Sequence, residues 1–190
     1  MSVPARVLGA PEHALRELLH RRTVLLGAPV DSPVANAVVT QLLHLDAVEP
    51  GAPIRLLINS PGGEVYGGLA IHDVLRGIAS PVHTVCAGMA MSIAAVILAA
   101  GEPGQRASLP NGRILIHQPS GGFQGQSSDV AIQAREALRL RELLEGLLAR
   151  DTGQSVEQLR ADQDRDRFFS PEEALHYGLI DRVERGRFGS

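Results

Sequence analysis

Two residues of this 190-residue chain stand where a reactive side chain would have useful surroundings. Ser92 lies at the junction of an apolar strand and an apolar helix, and the free N–H groups of a helix N-terminus favour developing negative charge. His117 ends an apolar strand before a Gly-rich loop, where an imidazole can act as a general base. Each also has a plain structural explanation, because Ser is a preferred helix cap and a lone His is more often a hydrogen-bonded structural residue.

A cluster of carboxylates follows later in the chain, in residues 162–169. Asp162, Asp164 and Asp166 alternate there with other polar residues and precede two of the four Phe residues. Charge clusters are usually solvated, but the adjacent Phe pair predicts that part of this one turns inward. A partly buried carboxylate beside Arg stays ionised, as the partner that orients a catalytic His must. The cluster alone leaves open which aspartate has that role.

The turn segment 59–63, with the sequence Asn-Ser-Pro-Gly-Gly, adds a possible binding site for an oxyanion. It follows a predicted strand, and consecutive glycines allow backbone N–H groups to approach a ligand closely. One such donor typically contributes ~2.7–4 kcal/mol to a transition state. Together with Ser, His and Asp in that chain order, it predicts acyl transfer by an activated serine. The sequence contains no Lys, which excludes a Ser–Lys dyad, and it lacks the Gly-x-Ser-x-Gly elbow of the α/β-hydrolases.

The elements that must position these residues alternate between strands and helices, which predicts an α/β fold with parallel strands. The predicted helices cover residues 12–22, from 31 to about 45, 67–76, 92–100, 128–150 and 170–178, and the predicted strands cover 23–27, 54–58, 82–86, 113–117 and 180–184. The first of these helices and the arm before it, residues 1–22, are predicted to precede a single domain, residues 23–190. The helix over 128–150 is apolar on more than one face, which indicates packing against another subunit.

Composition excludes several classes of function. A net charge of −3 without a dominant basic run argues against nucleic-acid binding. The single cysteine, Cys86, cannot form an internal disulfide and is predicted to be a buried thiol on a strand. No pair of histidines has metal-ligand spacing, so we predict neither a metal nor another cofactor. The sequence shows no signal-peptide pattern and no sufficiently long apolar run for a membrane span, which predicts a cytoplasmic protein that does not associate with membranes.

Five motifs together resemble the proteolytic subunit of the Clp protease, the ClpP family of serine peptidases. They are residues 58–63, the segment around Ser92, and residues 116–119, 121–126 and 164–168, within a similarity that extends from about residue 23 to residue 185. The resemblance implies a ClpP/crotonase-like spiral of β-strand and helix repeats. It also implies that residues 118–150 form a protruding handle built on the long helix.

The resemblance assigns roles residue by residue. Ser92 would be the nucleophile, His117 the general base and Asp166 the residue that orients the His. The backbone N–H groups of Gly63 and Ile93 would form the oxyanion hole. A substrate-binding strand that pairs with the peptide backbone would consist of Gly121, Gly122, Phe123, Gln124 and Gly125. A network that links ring contact to the active site would consist of Gln126, Asp164 and Arg165.

The resemblance also implies partners. Family members form heptameric rings that stack as a tetradecamer around a closed chamber, and a separate AAA+ Clp ATPase unfolds and feeds protein substrates, so that unfolded proteins and peptides are degraded. Here Arg55 and Leu57 replace the usual aromatic residues of the ATPase-docking strand, and residues 12–19 lack the usual Tyr-rich stretch. These departures put docking on this subunit's own face in doubt. They suggest a divergent paralogue that works in mixed rings with a paralogous subunit.

Two alternatives to an active peptidase are open. One is a regulatory or structural subunit of a mixed ring with little activity alone, which the altered docking strand favours and the complete Ser-His-Asp set opposes. The other is an acyl-CoA hydratase or isomerase of the crotonase type, which shares the fold and the oxyanion hole. Crotonase-type enzymes generally use acidic residues as acid and base and have longer chains, so the Ser-His-Asp set would then be coincidental.

Overall fold

The computed structural model describes residues 12–118 and 127–185. Its helices are α1 Glu12–His20, α2 Ser32–Val48, α3 Val65–Gly77, α4 Ile93–Ala99, α5 Ser127–Thr152, α6 Val156–Asp162 and α7 Pro171–Tyr177. Its strands are β1 Thr23–Leu26, β2 Ile54–Ser60, β3 Val82–Met91, β4 Ala107–Ser108, β5 Arg113–Ile116, β6 Arg167–Phe169 and β7 Arg182–Val183. The prediction of an α/β fold is confirmed.

The seven strands in the described part of the chain form one mixed sheet. Strands β1, β2, β3, β4 and β7 lie side by side in that order and are parallel. The sheet branches at β3, whose middle pairs with β4 and whose last residues, Met89 to Met91, pair in parallel with β5. The end of β3 therefore exchanges β4 for β5 on one side while Ala90 still pairs with Ser60 of β2 on the other, immediately before Ser92.

Strand β6, which the sequence patterns did not predict, pairs antiparallel with β5 and makes the sheet mixed. The reason lies in the connection before it. At the end of α6 the Gln163 carbonyl accepts a hydrogen bond from the Gln118 N–H at 2.9 Å, just past the end of β5. The chain therefore enters β6 at the C-terminal end of β5 and can only run back along it.

The core lies on one face of the sheet, under α2, α3 and α4. Strands β1 and β2 direct alternate apolar side chains into it, and all seven residues of α4 are buried. A smaller apolar cluster, formed by Leu57, Val85 and Ala107, covers part of the opposite face. Cys86 is fully buried on β3 as predicted, and burial raises the pKa of its thiol to about 11. A thiol held in that way is inert at neutral pH.

Side-chain caps fix two of the helix boundaries that the sequence predicts. Asp31 accepts a hydrogen bond from the Val34 N–H at 2.8 Å, which begins α2. Ser170 and Glu173 exchange hydrogen bonds with each other's backbone N–H groups in a capping box, which begins α7. Gly178 ends α7 in the left-handed conformation with φ of 90°.

The long helix α5 contains 26 residues, and only its second half packs on the core. Leu144 and Leu148 are buried there, whereas Ile132 and Leu138 are more than half exposed. The subunit packing predicted for this helix stays a prediction, as do the limits of the handle and the domain boundary at residue 22. Neither of the described stretches contains a helix with the length and apolar composition needed to span a bilayer.

Candidate active site

Ser92 occupies the single position between the end of β3 and the start of α4. Its N–H donates to the Leu115 carbonyl at 2.9 Å, which continues the parallel pairing of β3 with β5. Its side chain accepts no hydrogen bond from the helix that it precedes, so the explanation of Ser92 as a helix cap does not hold. The hydroxyl is available for chemistry at the positive end of α4.

The backbone of Ser92 is strained, with φ of 56° and ψ of −127°. A non-glycine residue in such a conformation costs about 1–3 kcal/mol and is found mainly at functional sites. The neighbouring Gly62 leaves room for this turn. A Cβ on Gly62 would lie 2.5 Å from the Met91 carbonyl oxygen and 2.7 Å from the Ser92 Cβ, so a side chain there would displace the serine.

The strain predicts a difference in stability between two inactive variants. We expect Ser92→Gly to be more stable than Ser92→Ala by ~1 kcal/mol, because glycine adopts positive φ without steric cost. Chemical denaturation of the two proteins under identical conditions measures this difference. A glycine variant that is equally or less stable would show that the Ser92 backbone is relaxed.

His117 and Asp166 meet because of the register between β5 and β6. Ile116 pairs with Arg167 in that antiparallel ladder, so the next residues outward on the two strands are His117 and Asp166. The His117 Nδ1 lies 3.2 Å from the Asp166 Oδ1, and the carboxylate is 63% exposed. The exposed Asp166 carboxylate therefore faces the Nδ1 edge of the ring. An acceptor in this place holds the ring proton on Nδ1, and the opposite nitrogen, Nε2, can then act as a base.

Ser92 and His117 line one pocket, although the serine hydroxyl and the imidazole share no direct hydrogen bond in the described structure. Catalytic hydrogen bonds are often long in unliganded enzymes and shorten when substrate binds. The structure thus brings the Ser and the His to one site and joins the His to the Asp.

The other two aspartates of the cluster have different surroundings. The Asp162 carboxylate accepts hydrogen bonds from the Tyr177 hydroxyl at 2.6 Å and the Gln158 amide at 2.9 Å, and it pairs with Arg167. Burial alone would raise the pKa of Asp162, but the hydrogen bonds from Tyr177 and Gln158 and the charge of Arg167 hold this pKa below its ordinary value. The Asp164 side chain is exposed. Of the three carboxylates, only that of Asp166 lies beside His117.

The glycine turn lies next to the start of α4. The Val30 N–H donates to the Gly62 carbonyl at 2.8 Å and the Glu64 N–H donates to the Val30 carbonyl at 2.7 Å, a bridge that leaves the Gly63 N–H outside the pairing. Ile93 is the first residue of α4, so its N–H has no acceptor within the helix. Gly62 approaches the Ile93 nitrogen closely, so the turn and the helix start flank Ser92 together.

The pocket beside Ser92 and His117 has mainly apolar walls. Besides these two residues it is lined by Val65, Ile93, Val96, Ile116, Leu144, Leu148 and Gln163. Sequence reasoning missed Gln163, whose side chain is only 3% exposed. Only one feature of the sequence could have indicated its burial. Gln163 has an uncharged side chain within the charged cluster 162–169, part of which was predicted to turn inward.

The predicted substrate-binding strand and ring-contact network fall only in part on described residues. Gly121 to Gly125 and Gln126 lie outside the described residues. Asp164 and Arg165 are both exposed, and the Asp164 carbonyl accepts a hydrogen bond from the Gln118 side chain at 3.4 Å. Across residues 12–118 and 127–185, no three His, Cys, Asp or Glu side chains are grouped so as to hold a metal ion.

A comparison with protein families gives a match over nearly the whole chain. The model of the family described as Clp protease matches residues 11–187, a range that includes every residue of the site described above.

Proposed function

The chain belongs to the Clp protease family, and on that premise we propose that it is a serine endopeptidase whose nucleophile is Ser92. Membership implies a Clp-type peptidase role, ring assembly and protein substrates in general. The observation that carries the serine mechanism is the meeting of three strand ends. Ser92 and His117 line one pocket, and the Asp166 carboxylate lies 3.2 Å from the His117 ring.

In the proposed first step, the Ser92 Oγ attacks the carbonyl carbon of the scissile peptide bond. His117 accepts the hydroxyl proton on Nε2, because its Nδ1 faces Asp166. Asp166 holds the neutral ring in the Nδ1–H tautomer and then stabilises the imidazolium that forms. The C–O bond to the serine forms while the carbonyl π electrons move to the oxygen, which becomes an oxyanion.

The oxyanion of this intermediate would accept hydrogen bonds from the Gly63 and Ile93 N–H groups, and each such donor typically contributes ~2.7–4 kcal/mol. The C–N bond then breaks, and the leaving amine takes the proton from His117. A water molecule attacks the acyl-serine with His117 again as the base, which releases the carboxylic acid and restores Ser92. The strained Ser92 backbone and the glycine turn support this assignment, because a Cβ on Gly62 would meet both the Ser92 Cβ and the Ile93 nitrogen, so the turn lies directly against the serine and the helix start.

We further propose the partners that the sequence resemblance implies. The exposed apolar residues Ile132 and Leu138 on α5 support packing between two heptameric rings in a tetradecamer, and residues 121–125 would pair with substrate. Arg55 lines a basic pocket with Arg21, Arg22 and His83, which supports a docking face unlike the usual apolar one. A paralogous subunit in a mixed ring would then bind the AAA+ Clp ATPase. A cytoplasmic location stays a prediction.

The second candidate is a regulatory or structural subunit of a mixed ring, with little activity alone. The observation that favours it is the missing direct hydrogen bond between Ser92 and His117 in the single described chain. If ring contacts are needed to bring the two side chains together, an isolated subunit would react slowly or not at all.

Labelling with a fluorophosphonate tests both candidates. The probe is applied to the wild type and to Ser92→Ala, each alone and mixed with candidate paralogous subunits, while native mass measurement reports ring formation. Labelling of the wild type alone would remove the inert-subunit alternative. Labelling only in mixtures would establish a partner-dependent peptidase. If neither condition yields a label that depends on Ser92, the peptidase assignment fails.

A further inference from the structure

The basic pocket lies at the opposite end of the strands from Ser92. It is a cavity of about 350 Å³, a size typical of ligand sites. Its lining residues are Arg21, Arg22, Thr23, Pro53, Ile54, Arg55 and His83. None of these described wall residues is acidic. A cavity with this lining has both the room and the positive charge to hold an anion.

The register of the first three strands forms one side of the basic pocket. Thr23 of β1 pairs with Arg55 of β2, and Arg55 pairs with His83 of β3, so the three side chains form a row across the sheet. The next residues on β1 and β2 are buried in the core, and the row therefore points to the other face, because side chains alternate along a strand. His83 is the second residue of β3 and Ser92 follows its last, a separation of roughly 25–30 Å. A ligand in this pocket would not contact the proposed nucleophile.

The electrostatic surroundings of His83 are positive. Burial lowers the pKa of its imidazole, and the charges of Arg182 and Arg55 lower this pKa further. The carboxylate of Glu102 acts in the opposite direction and has the smallest influence of these groups. An anion beside the row would offset the charges that now disfavour the protonated form of His83.

The two arginines that follow α1 contribute in different ways. The Arg22 guanidinium donates to backbone carbonyls of the segment 45–53 at 2.9 to 3.3 Å, and it lies 3.8 Å from the Glu49 carboxylate. Its charge is therefore fixed at the wall, but its donors are occupied. Arg21 is exposed, and its guanidinium has no hydrogen-bond or ion-pair partner within residues 12–118 and 127–185. It can turn towards a ligand.

The kind of anion follows from what the pocket offers. Phosphate sites commonly use free backbone N–H groups, but here the N–H groups of Arg21 and Arg22 donate to carbonyls of α1 at 3.0 and 2.9 Å. A nucleic acid would require positive charge along several phosphates, whereas the next row on this face contains the apolar Leu57 and Val85. Guanidinium groups match the planar carboxylate. The pocket therefore suits single carboxylates on a peptide chain.

We propose that the basic pocket binds an acidic segment of a partner protein, with an aspartate or glutamate carboxylate seated among Arg21, Arg55 and His83. This inference rests on the docking face proposed above and not on the serine mechanism. Because the bound carboxylate offsets the arginine charges, His83 takes up a proton on binding. The affinity therefore increases as the pH falls, as long as the carboxylates of the segment stay ionised.

The test is fluorescence anisotropy with a fluorescein-labelled peptide that has four consecutive glutamates between glycine and serine ends. The control peptide has four glutamines, and the competitors are unlabelled glutamate peptide, a single-stranded DNA oligonucleotide and inorganic phosphate. The full chain carries Ser92→Ala throughout, so that the probe is not hydrolysed. Onto it are placed Arg55→Gln, Arg21→Gln, His83→Gln or the matched control Arg135→Gln. Arg135 is exposed on α5 and does not line the pocket.

We expect the glutamate peptide to bind at one site per chain and the glutamine peptide not to bind. Arg55→Gln and Arg21→Gln should each weaken the affinity by about tenfold, because each removes a charge-assisted hydrogen bond. Arg135→Gln should stay within about twofold, since salt screens a distant surface charge. The affinity should increase severalfold between about pH 7.5 and 5.5, and His83→Gln should abolish this increase. Arg21→Gln changes an exposed side chain and keeps the test valid if Arg55→Gln does not fold.

Several results would overturn the inference. One is an affinity that the pocket variants leave unchanged or that Arg135→Gln weakens equally, because the peptide would then bind elsewhere or without specificity. Another is displacement of the probe by DNA or phosphate at lower concentrations than by unlabelled glutamate peptide, which would show a different occupant. Fluorophosphonate labelling of the protein with Ser92 intact separates the two proposals. Labelling without peptide binding would overturn this inference alone, and peptide binding without labelling would overturn the peptidase alone.

Discussion

Replacing Ser92 with alanine is expected to lower kcat/KM for peptide hydrolysis by about 10⁵-fold, because the variant has no nucleophile for the acyl-enzyme. His117 and Asp166 would remain in the variant, but a base and its orienting carboxylate form no covalent intermediate. Continuous hydrolysis of a fluorogenic peptide measures the loss, with native mass measurement to confirm that assembly is unchanged.

A serine that does not line the pocket provides the matched control. Ser155 accepts a hydrogen bond from the Gln158 N–H at 3.0 Å and caps α6. Ser155→Ala should lower the free energy of unfolding by about 1 kcal/mol and keep its activity within a few fold of the wild type. Residual activity in Ser92→Ala of more than about one hundredth of the wild-type value would mean that Ser92 is not the nucleophile.

The second large effect is expected at Asp166. Asp166→Asn should lower kcat by about 10⁴-fold, because an amide neither fixes the Nδ1–H tautomer of His117 nor stabilises its positive charge. The side chain is 63% exposed, so the free energy of unfolding should barely change. A large catalytic loss in a fully stable protein is the expected signature, measured by kcat and by chemical denaturation.

The neighbouring aspartates offer a built-in comparison. Asp164→Asn should change neither activity nor stability greatly, since that side chain is exposed. Asp162→Asn should cost about 2 kcal/mol of stability at neutral pH, because the carboxylate accepts from Tyr177 and Gln158. The folded-state pKa of Asp162 is lowered, so its contribution is present above the unfolded pKa and is lost as the pH falls through the folded value. Asp162→Asn and the wild type should therefore converge in acid. Full activity in Asp166→Asn would contradict the role given to Asp166.

Sequence reasoning placed Ser92 between a strand and a helix and His117 at the end of a strand, because an apolar run followed by Gly and polar residues is a strong local signal. It did not distinguish Asp166 from its two neighbours without the family resemblance. That distinction depends on the pairing of Ile116 with Arg167, a contact between segments about fifty residues apart. A three-residue strand such as β6 has no periodicity from which it could be predicted.

Local sequence patterns also did not predict the full length of β3. The sequence predicted its end at Cys86, whereas the strand continues through Gly88 to Met91. Gly88 has φ of 113°, and a Cβ there would lie 2.6 Å from the Asn59 side chain, so the strand bends around a close contact with β2. The register shift between Ile58 and Ser60 marks the same irregularity. Gln163 was missed for a comparable reason, because its burial follows from the packing of α6 and not from its neighbours in sequence.

The aromatic contacts of β6 have a spectroscopic consequence. The protein contains no Trp and only two Tyr residues, so its tyrosine emission, unmasked by Trp, comes from Tyr66 and Tyr177 alone. Tyr177 packs against Phe169 with ring centroids 4.9 Å apart, on the strand that begins directly after Asp166, and its hydroxyl is bound to a carboxylate. In Tyr66→Phe, emission and its quenching would report on this one ring. A change in tyrosine lifetime on ring assembly would then record, without any added label, whether the surroundings of the strand next to Asp166 change.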